Sequence, residues 1–283
     1  MKKGLLKLAL GAMSILALAA CGNTSETSDS SATDSAATTT TDKLQEIKES
    51  GKLVMGTSAD YPPYEWHLIK DGKDEIIGFD IDIAQAIADE LGVELEVKDM
   101  DFDGLIPALT TGKIDIIIAG MNATEERKQS VDFTDVYYTQ TDIVVIRKED
   151  ADKFTSEDSL KTAALATQKA TVQETYLLET FPDAEIQSVP KWNTAIMSLT
   201  TGKVDAVMMV DTVAKQFIAQ NDDLMVANFD INSTPNAAAI AVAKNGGDFL
   251  ETVNNIVNEM KESGKIEELY QLNDQIVTDN TAE

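Results

Sequence analysis

The sequence predicts an α/β protein built as two lobes of similar plan, and three observations carry that expectation. Short β-branched or apolar runs alternate with amphipathic, helix-period runs along most of the chain. The segment Leu109-Thr110-Thr111-Gly112-Lys113-Ile114-Asp115-Ile116-Ile117-Ile118 recurs ninety residues later as Leu199-Thr200-Thr201-Gly202-Lys203-Val204-Asp205-Ala206-Val207-Met208. About 240 residues follow a polar N-terminal stretch, enough for one large or two medium domains.

Each copy of the repeat has the same grammar: a helix ending at a glycine that accepts the left-handed conformation, then a strand suited to burial on both faces. Residues 53–56 read as a strand, 79–91 as an amphipathic helix stopped by Gly92, and 94–97 as a strand. Residues 102–110 read as a helix and 114–119 as a strand, and the alternation repeats from 162 through 217. A weaker echo pairs residues 51–57 with 161–167. One continuous α/β domain with chance helix-Gly-strand matches is the competing plan.

At the N-terminus, Lys2, Lys3 and Lys7 precede an apolar run over 8–18 and then Ala19-Ala20-Cys21. That run is shorter than the roughly 20 residues of a bilayer-spanning helix, so residues 1–20 read as an export signal. No later segment is long and apolar enough to span. Cys21 is the single cysteine, which rules out an internal disulfide. The Ser/Thr/Asp/Ala-rich stretch that follows has no apolar residue larger than alanine and reads as a flexible tether over 21–43.

The chain carries 49 acidic and 23 basic residues, and loss of the three leader lysines leaves a balance of −29. Such a field repels nucleic acid and anionic headgroups. It serves solubility, or enriches cationic solutes. The only histidine is His67, there is no recognisable nucleophile motif, and a His/Cys metal cluster cannot be built. Paired carboxylates are the one enzymatic route left open. No cofactor or metal is expected.

Two resemblances sharpen this. Leu18-Ala19-Ala20-Cys21 is similar to the bacterial lipobox. That implies cleavage before Cys21, acylation of its sulfur with palmitate-type chains, and anchoring to the cell membrane. An ordinary signal whose cleavage region contains a cysteine is the alternative. From residue 51 to about 270 the chain resembles the bacterial extracellular solute-binding lipoproteins of ABC importers for polar amino acids. The segments that carry this are Gly56-Thr57-Ser58-Ala59-Asp60-Tyr61-Pro62-Pro63-Tyr64-Glu65, Gly78-Phe79-Asp80-Ile81-Asp82, Met100-Asp101-Phe102-Asp103-Gly104-Leu105-Ile106-Pro107-Ala108-Leu109 and Ala119-Gly120-Met121-Asn122-Ala123-Thr124-Glu125-Glu126-Arg127. The resemblance implies a periplasmic-binding-protein-like (Venus flytrap) fold with a ligand cleft between the lobes. One lobe would hold residues 44–138 plus 238–283 and the other 142–234, with crossings near 138–142 and 234–237 and a helix over 249–263 rejoining the first. It also implies a monomer outside the cytoplasm that binds a small polar amino acid, docks on an ABC permease, and is not an enzyme. A sensing or adhesive surface lipoprotein, or a dehydratase on the same fold, are the alternatives.

A free amino acid presents a carboxylate and an ammonium, and removing both from water requires paired, hydrogen-bonded partners. Arg127, three residues after the potential N-cap Thr124, can grip a carboxylate bidentately beside exposed amides. On spacing alone it serves equally as a surface partner of Glu125, Glu126 or Asp132; the resemblance assigns it to the site. Gly120 and Asn122 match the ligand-contacting loop. Tyr61 and Phe102 match aromatic walls, with plain core burial the alternative for Phe102. Tyr64 and Trp66 fall at the cleft rim or in packing. Thr171 matches a carboxylate-holding loop in which Ala170 replaces the usual glycine. The ammonium partner falls at Val210 by alignment and at Asp211 if a one-residue bulge intervenes. Ser58 stands where several relatives carry an acid that reads cationic side chains. That favours uncharged polar ligands first, although the nearby Asp60 can reverse the inference.

Overall fold

The computed structural model describes residues 42–281. The export signal over 1–20, the lipid attachment at Cys21 and nearly all of the tether lie outside the described residues. The tether's last two expected positions belong instead to the first helix, Lys43–Ser50. Asp42 caps that helix, accepting the Leu44 N–H at 3.1 Å.

Two five-stranded sheets share one layout. In the first, Glu94–Asp99, Lys52–Thr57 and Ile116–Ile117 run parallel, followed by Ala241–Ala243, antiparallel to both its neighbours, and Val131–Phe133. In the second, Glu185–Val189, Ala164–Gln168 and Ala206–Val210 run parallel, followed by the antiparallel Asp142–Arg147 and then Leu224–Val226. Between the sheets, Tyr138–Gln140 pairs antiparallel with Asn236–Ala238, so the chain crosses outward and back on adjacent strands. Each sheet's antiparallel strand is therefore the first one the chain meets after a crossing.

The echoed segments occupy equivalent places. Asp115 and Asp205 each clamp the middle one of the three parallel strands in their own sheet. The Asp115 N–H donates to the Val54 carbonyl and its carboxylate accepts the Val54 N–H; Asp205 does the same at Ala164. The expected strand 114–119 is Ile116–Ile117 here, whereas its counterpart runs over Ala206–Val210. The expected helix 102–110 begins as a 3-10 turn, Phe102–Gly104, and becomes α-helical at Leu105–Thr110. Pro107 has no N–H for the Asp103 carbonyl and is tolerated only in a first turn.

A three-stranded antiparallel hairpin, Asp60–Tyr61, Glu65–Lys70 and Lys73–Ile77, leads into the helix Phe79–Leu91. Gly78 joins them at φ 141°, and a Cβ there would lie 1.9 Å from the Tyr64 carbonyl oxygen, so only glycine fits. Two helices close the chain. Gly247–Glu262 buries Phe249, Val253, Val257 and Met260 on the first lobe. Lys265–Thr281 touches both lobes: Asn273 donates to Asp82 at 2.6 Å, and Gln216 of the second lobe donates to Asp274 at 2.8 Å. Tyr270 on this helix stacks on Tyr138 of a crossing strand, with centroids 4.8 Å apart.

One apolar cluster runs continuously from Phe79 and Tyr64 in the first lobe through Trp192 to Val207 in the second. The lobes are in contact. Among the described residues, no helix is long and apolar enough to cross a membrane.

Candidate functional site

A cleft lies between the lobes, at the carboxyl ends of the two central parallel strands. Its wall brings together Ser58, Tyr61, Phe102, Gly120, Asn122 and Arg127 from one side and Thr171 from the other. Glu65, Ala119, Gln168, Val172, Gln173 and Trp192 complete it.

Arg127 opens a three-residue 3-10 turn, Arg127–Gln129, in place of the helix start that the spacing suggests. Thr124 still acts locally, its hydroxyl accepting the Arg127 N–H at 3.2 Å. The guanidinium is fixed by two carbonyls, donating to Asn122 at 2.7 Å and, across the cleft, to Ala170 at 2.7 Å. It also lies 5.4 Å above the Phe102 ring. Two of its five donors are thus engaged in orienting the fork, which leaves the others for an anion. Burial pulls its pKa down to about 10, still charged at neutral pH.

Gly120 adopts φ 56°, and a Cβ there would come within 3.0 Å of the Tyr61 ring. Its N–H donates to Asp80 at 2.9 Å. The Tyr137 hydroxyl donates to the same carboxylate at 2.8 Å, so the glycine loop is tied to the helix Phe79–Leu91. Tyr61 stacks on Trp192, its ring 6.0 Å away and 25° from parallel. Phe102 is both a cavity wall and core, packed in the cluster around Leu105 and Ile117. Tyr64 is fully packed against Phe79, and neither it nor Trp66 lines the cavity.

Thr171 caps the helix Val172–Thr180. Its hydroxyl accepts the Glu174 N–H at 3.2 Å and donates to the Gln168 carbonyl at 2.7 Å, so it serves its own loop. Ala170 sits at φ 62°, the left-handed region that disfavours a Cβ by roughly 1–2 kcal/mol. Its N–H donates to the Glu174 carboxylate at 2.6 Å, which helps hold the turn.

Asp211 is a correction. The expected bulge is absent: Ala206–Val210 pairs one-to-one with its antiparallel partner, through Val210 opposite Asp142. Asp211 therefore opens the next helix, Asp211–Ala219, where it pairs with Lys215 at 3.0 Å and does not line the cavity.

Three acids do approach the site from inside the first lobe. Glu65 lines the cavity, is 1 % exposed, and has a side-chain oxygen, Oε2, with no partner. Burial, then the neighbouring Asp80 and Asp60, push its carboxyl well above the usual carboxylate range. Asp80, buried beside it, is raised by burial, but the Gly120 N–H and the Tyr137 hydroxyl support its anion. The pair's proton thus rests on Glu65. Asp60, raised by burial to about 6, lies just behind the wall.

Glu65 was visible in the sequence only as a motif letter, because its burial depends on the hairpin fold. Trp192 had a signal: the ninety-residue echo, extended upstream, places it opposite Phe102. Ser58 and Gln168 likewise correspond under the weaker echo. Among the described residues, no group of histidine, cysteine and acids could hold a metal ion.

Residues 53–272 match the family model of bacterial extracellular solute-binding proteins, family 3. The chain belongs to this family. The arginine-binding extracellular protein ArtP of Bacillus subtilis is 34 % identical over 272 residues, covering 95 % of this chain and 96 % of that one. An amino acid ABC transporter substrate-binding protein from Streptococcus pneumoniae, solved bound to L-arginine, is 39 % identical with a TM-score of 0.79, covering 82 % of this chain and 98 % of that one. An ancestral amino acid-binding protein, a precursor of cyclohexadienyl dehydratase, is 36 % identical with a TM-score of 0.73 and covers 81 % and 97 %. The two-lobed α/β fold expected from the sequence is the fold of these structures.

Proposed function

We propose that this family member captures a cationic amino acid, arginine first, outside the cell membrane and hands it to an ABC importer without transforming it. The observation that carries the ligand class is Glu65: a buried carboxyl in the cavity wall with a partnerless oxygen and two further acids behind it. Arg127 supplies the one charge complementary to an α-carboxylate. The wall also offers a carboxyl that a cation can ionise, Glu65, and the aromatic faces of Tyr61, Phe102 and Trp192, which favour a planar cation. This reverses the order read from Ser58, which favoured uncharged polar ligands. The names of the B. subtilis and S. pneumoniae relatives support the same choice.

In this reading, residues 44–138 with 238–283 form one moving body and 142–234 the other. The first lobe binds the ligand through Arg127, Gly120, Asn122 and the aromatic walls; the loop at Thr171 then closes over it. Export under the signal over 1–20 and a lipid anchor at Cys21 keep the monomer beside its permease. The cavity wall holds one acid, Glu65, and no second carboxyl or histidine, which supports binding over a dehydratase-like reaction.

A cationic ligand next to Glu65 favours its ionised form, so binding displaces the proton held by the Glu65–Asp80 pair. Calorimetry in buffers of different ionisation enthalpy should show release of up to one proton with L-arginine. Affinity should rise with pH until Glu65 ionises in the unliganded protein, and Glu65→Gln should remove that slope and weaken binding about tenfold. Tighter binding of L-glutamine than L-arginine, with no proton released, would refute the cationic assignment.

A further inference from the structure

The helix Trp192–Thr200 in the second lobe starts without a cap of its own. Its N-cap residue is Lys191, which makes no side-chain capping bond. The first amides of a helix need an acceptor when buried. Here the acceptor comes from the other lobe: Asp60 Oδ2 takes the Trp192 N–H. Asp60 is 7 % exposed, and an aspartate at a helix start also meets the favourable end of the macrodipole.

Lys191 then reaches back over the same boundary. Its ammonium donates to Asp99 at 3.2 Å, Ser58 at 3.4 Å and the Met100 carbonyl at 3.4 Å, all in the first lobe. Asp99 is itself held by the Ala59 N–H at 2.8 Å. None of Asp60, Lys191 and Asp99 lines the ligand cavity.

The duplication explains the geometry. Under the two echoes, residues 58–60 correspond to 168–170, and 191–193 to 101–103. The same two kinds of loop therefore face each other twice, with the lobes exchanged. On the second occasion the contact is Lys169 with Asp103 at 2.8 Å, where the lysine side chain is 57 % exposed. An exposed pair of that kind adds little stability, whereas a buried amide–carboxylate bond adds more.

We propose that Asp60 and Lys191 are positioning residues that latch the lobes closed independently of ligand, Asp60 acting as the N-terminal cap of a helix in the opposite lobe. The latch sets how much of the unliganded protein is already closed, and so how slowly bound ligand escapes. It rests on the hinge motion proposed above and not on which amino acid is bound.

The test is a spin-label distance measurement on the full chain carrying Cys21→Ser, Glu75→Cys and Lys203→Cys, first with no ligand. The parent should show a closed population. Asp60→Ala should add a longer distance, while Asp60→Asn, whose amide oxygen still caps, should match the parent. Release of L-arginine from Asp60→Ala should be about tenfold faster, or ~1.4 kcal/mol, with the association rate little changed. Lys191→Met should produce the same longer distance, which keeps the test open if Asp60→Ala fails to fold. A parent that is wholly open without ligand overturns the latch. So do Asp60→Ala and Lys191→Met distances indistinguishable from the parent's. Absence of arginine binding would count against the ligand assignment alone, because the unliganded distances do not involve it.

Discussion

The two copies of the repeated unit share their hydrogen bonds and turn up to the strand and part company after it. In both, a threonine hydroxyl bonds a carbonyl four residues back at 2.7 Å: Thr111 to Pro107, and Thr201 to Met197. In both, a glycine follows at φ 70° or 71° and an aspartate clamps the neighbouring strand. Beyond that, the first copy turns through Gly120 into the loop that carries Arg127. The second continues its strand to Val210 and passes directly into a helix. Position 217, which would match Arg127, is a buried phenylalanine. The repeated part is scaffold, and the proposed carboxylate grip, Arg127, sits where the copies diverge. Of the cavity wall, the aromatic pair Phe102 and Trp192 and the polar pair Ser58 and Gln168 are common to both.

Arg127→Ala should do the most damage to binding if that division is right. Affinity should drop at least a hundredfold, about 3 kcal/mol, while the urea midpoint stays near that of the parent because the copied scaffold is untouched. Near-normal affinity by calorimetry would place the carboxylate grip elsewhere.

The aromatic pair tests the shared part. Trp192→Ala and Phe102→Ala should each weaken ligand binding roughly tenfold. Both should also cost stability, about 3–5 kcal/mol for a fully buried ring such as Trp192, read by urea unfolding monitored by circular dichroism. Loss of affinity in one variant but not the other would break the equivalence of the two walls.

The smallest effect is expected at Asp211→Asn. Its exposed contact with Lys215 is worth about 0.5 kcal/mol or less, so affinity should stay within twofold for amino acids and des-amino analogues alike. A selective loss for amino acids would restore it to the site.

The sequence made the scaffold legible because its signals are local. Gly92 at φ 71° ends the helix Phe79–Leu91 where the pattern placed its end, and the Gly-Lys-x-Asp repeat announced the strand that follows each of its aspartates. Much of the cavity wall was reached through the family resemblance that the loops 56–65 and 119–127 carry, since spacing alone left Arg127 equally a surface partner of nearby acids. The position of Asp211 was not. A bulge depends on the cross-strand partner Asp142–Arg147, more than sixty residues away, and nothing near Val210 reports that register. Glu65 escaped for a related reason: its partnerless oxygen is a consequence of packing by the hairpin and the helix that follows it.

The final helix, Lys265–Thr281, has no counterpart in either copy. It bonds Asp82 on one lobe and Gln216 on the other, and rests on a crossing strand through Tyr270. It therefore adds to what sets the lobes apart, beside the hairpin over 60–77 and the helix Gly247–Glu262 of the first lobe. Exchanging the two lobes would carry these elements to the wrong side. A membrane partner that grips both lobes at once meets a handed object, and can seat it in one orientation only.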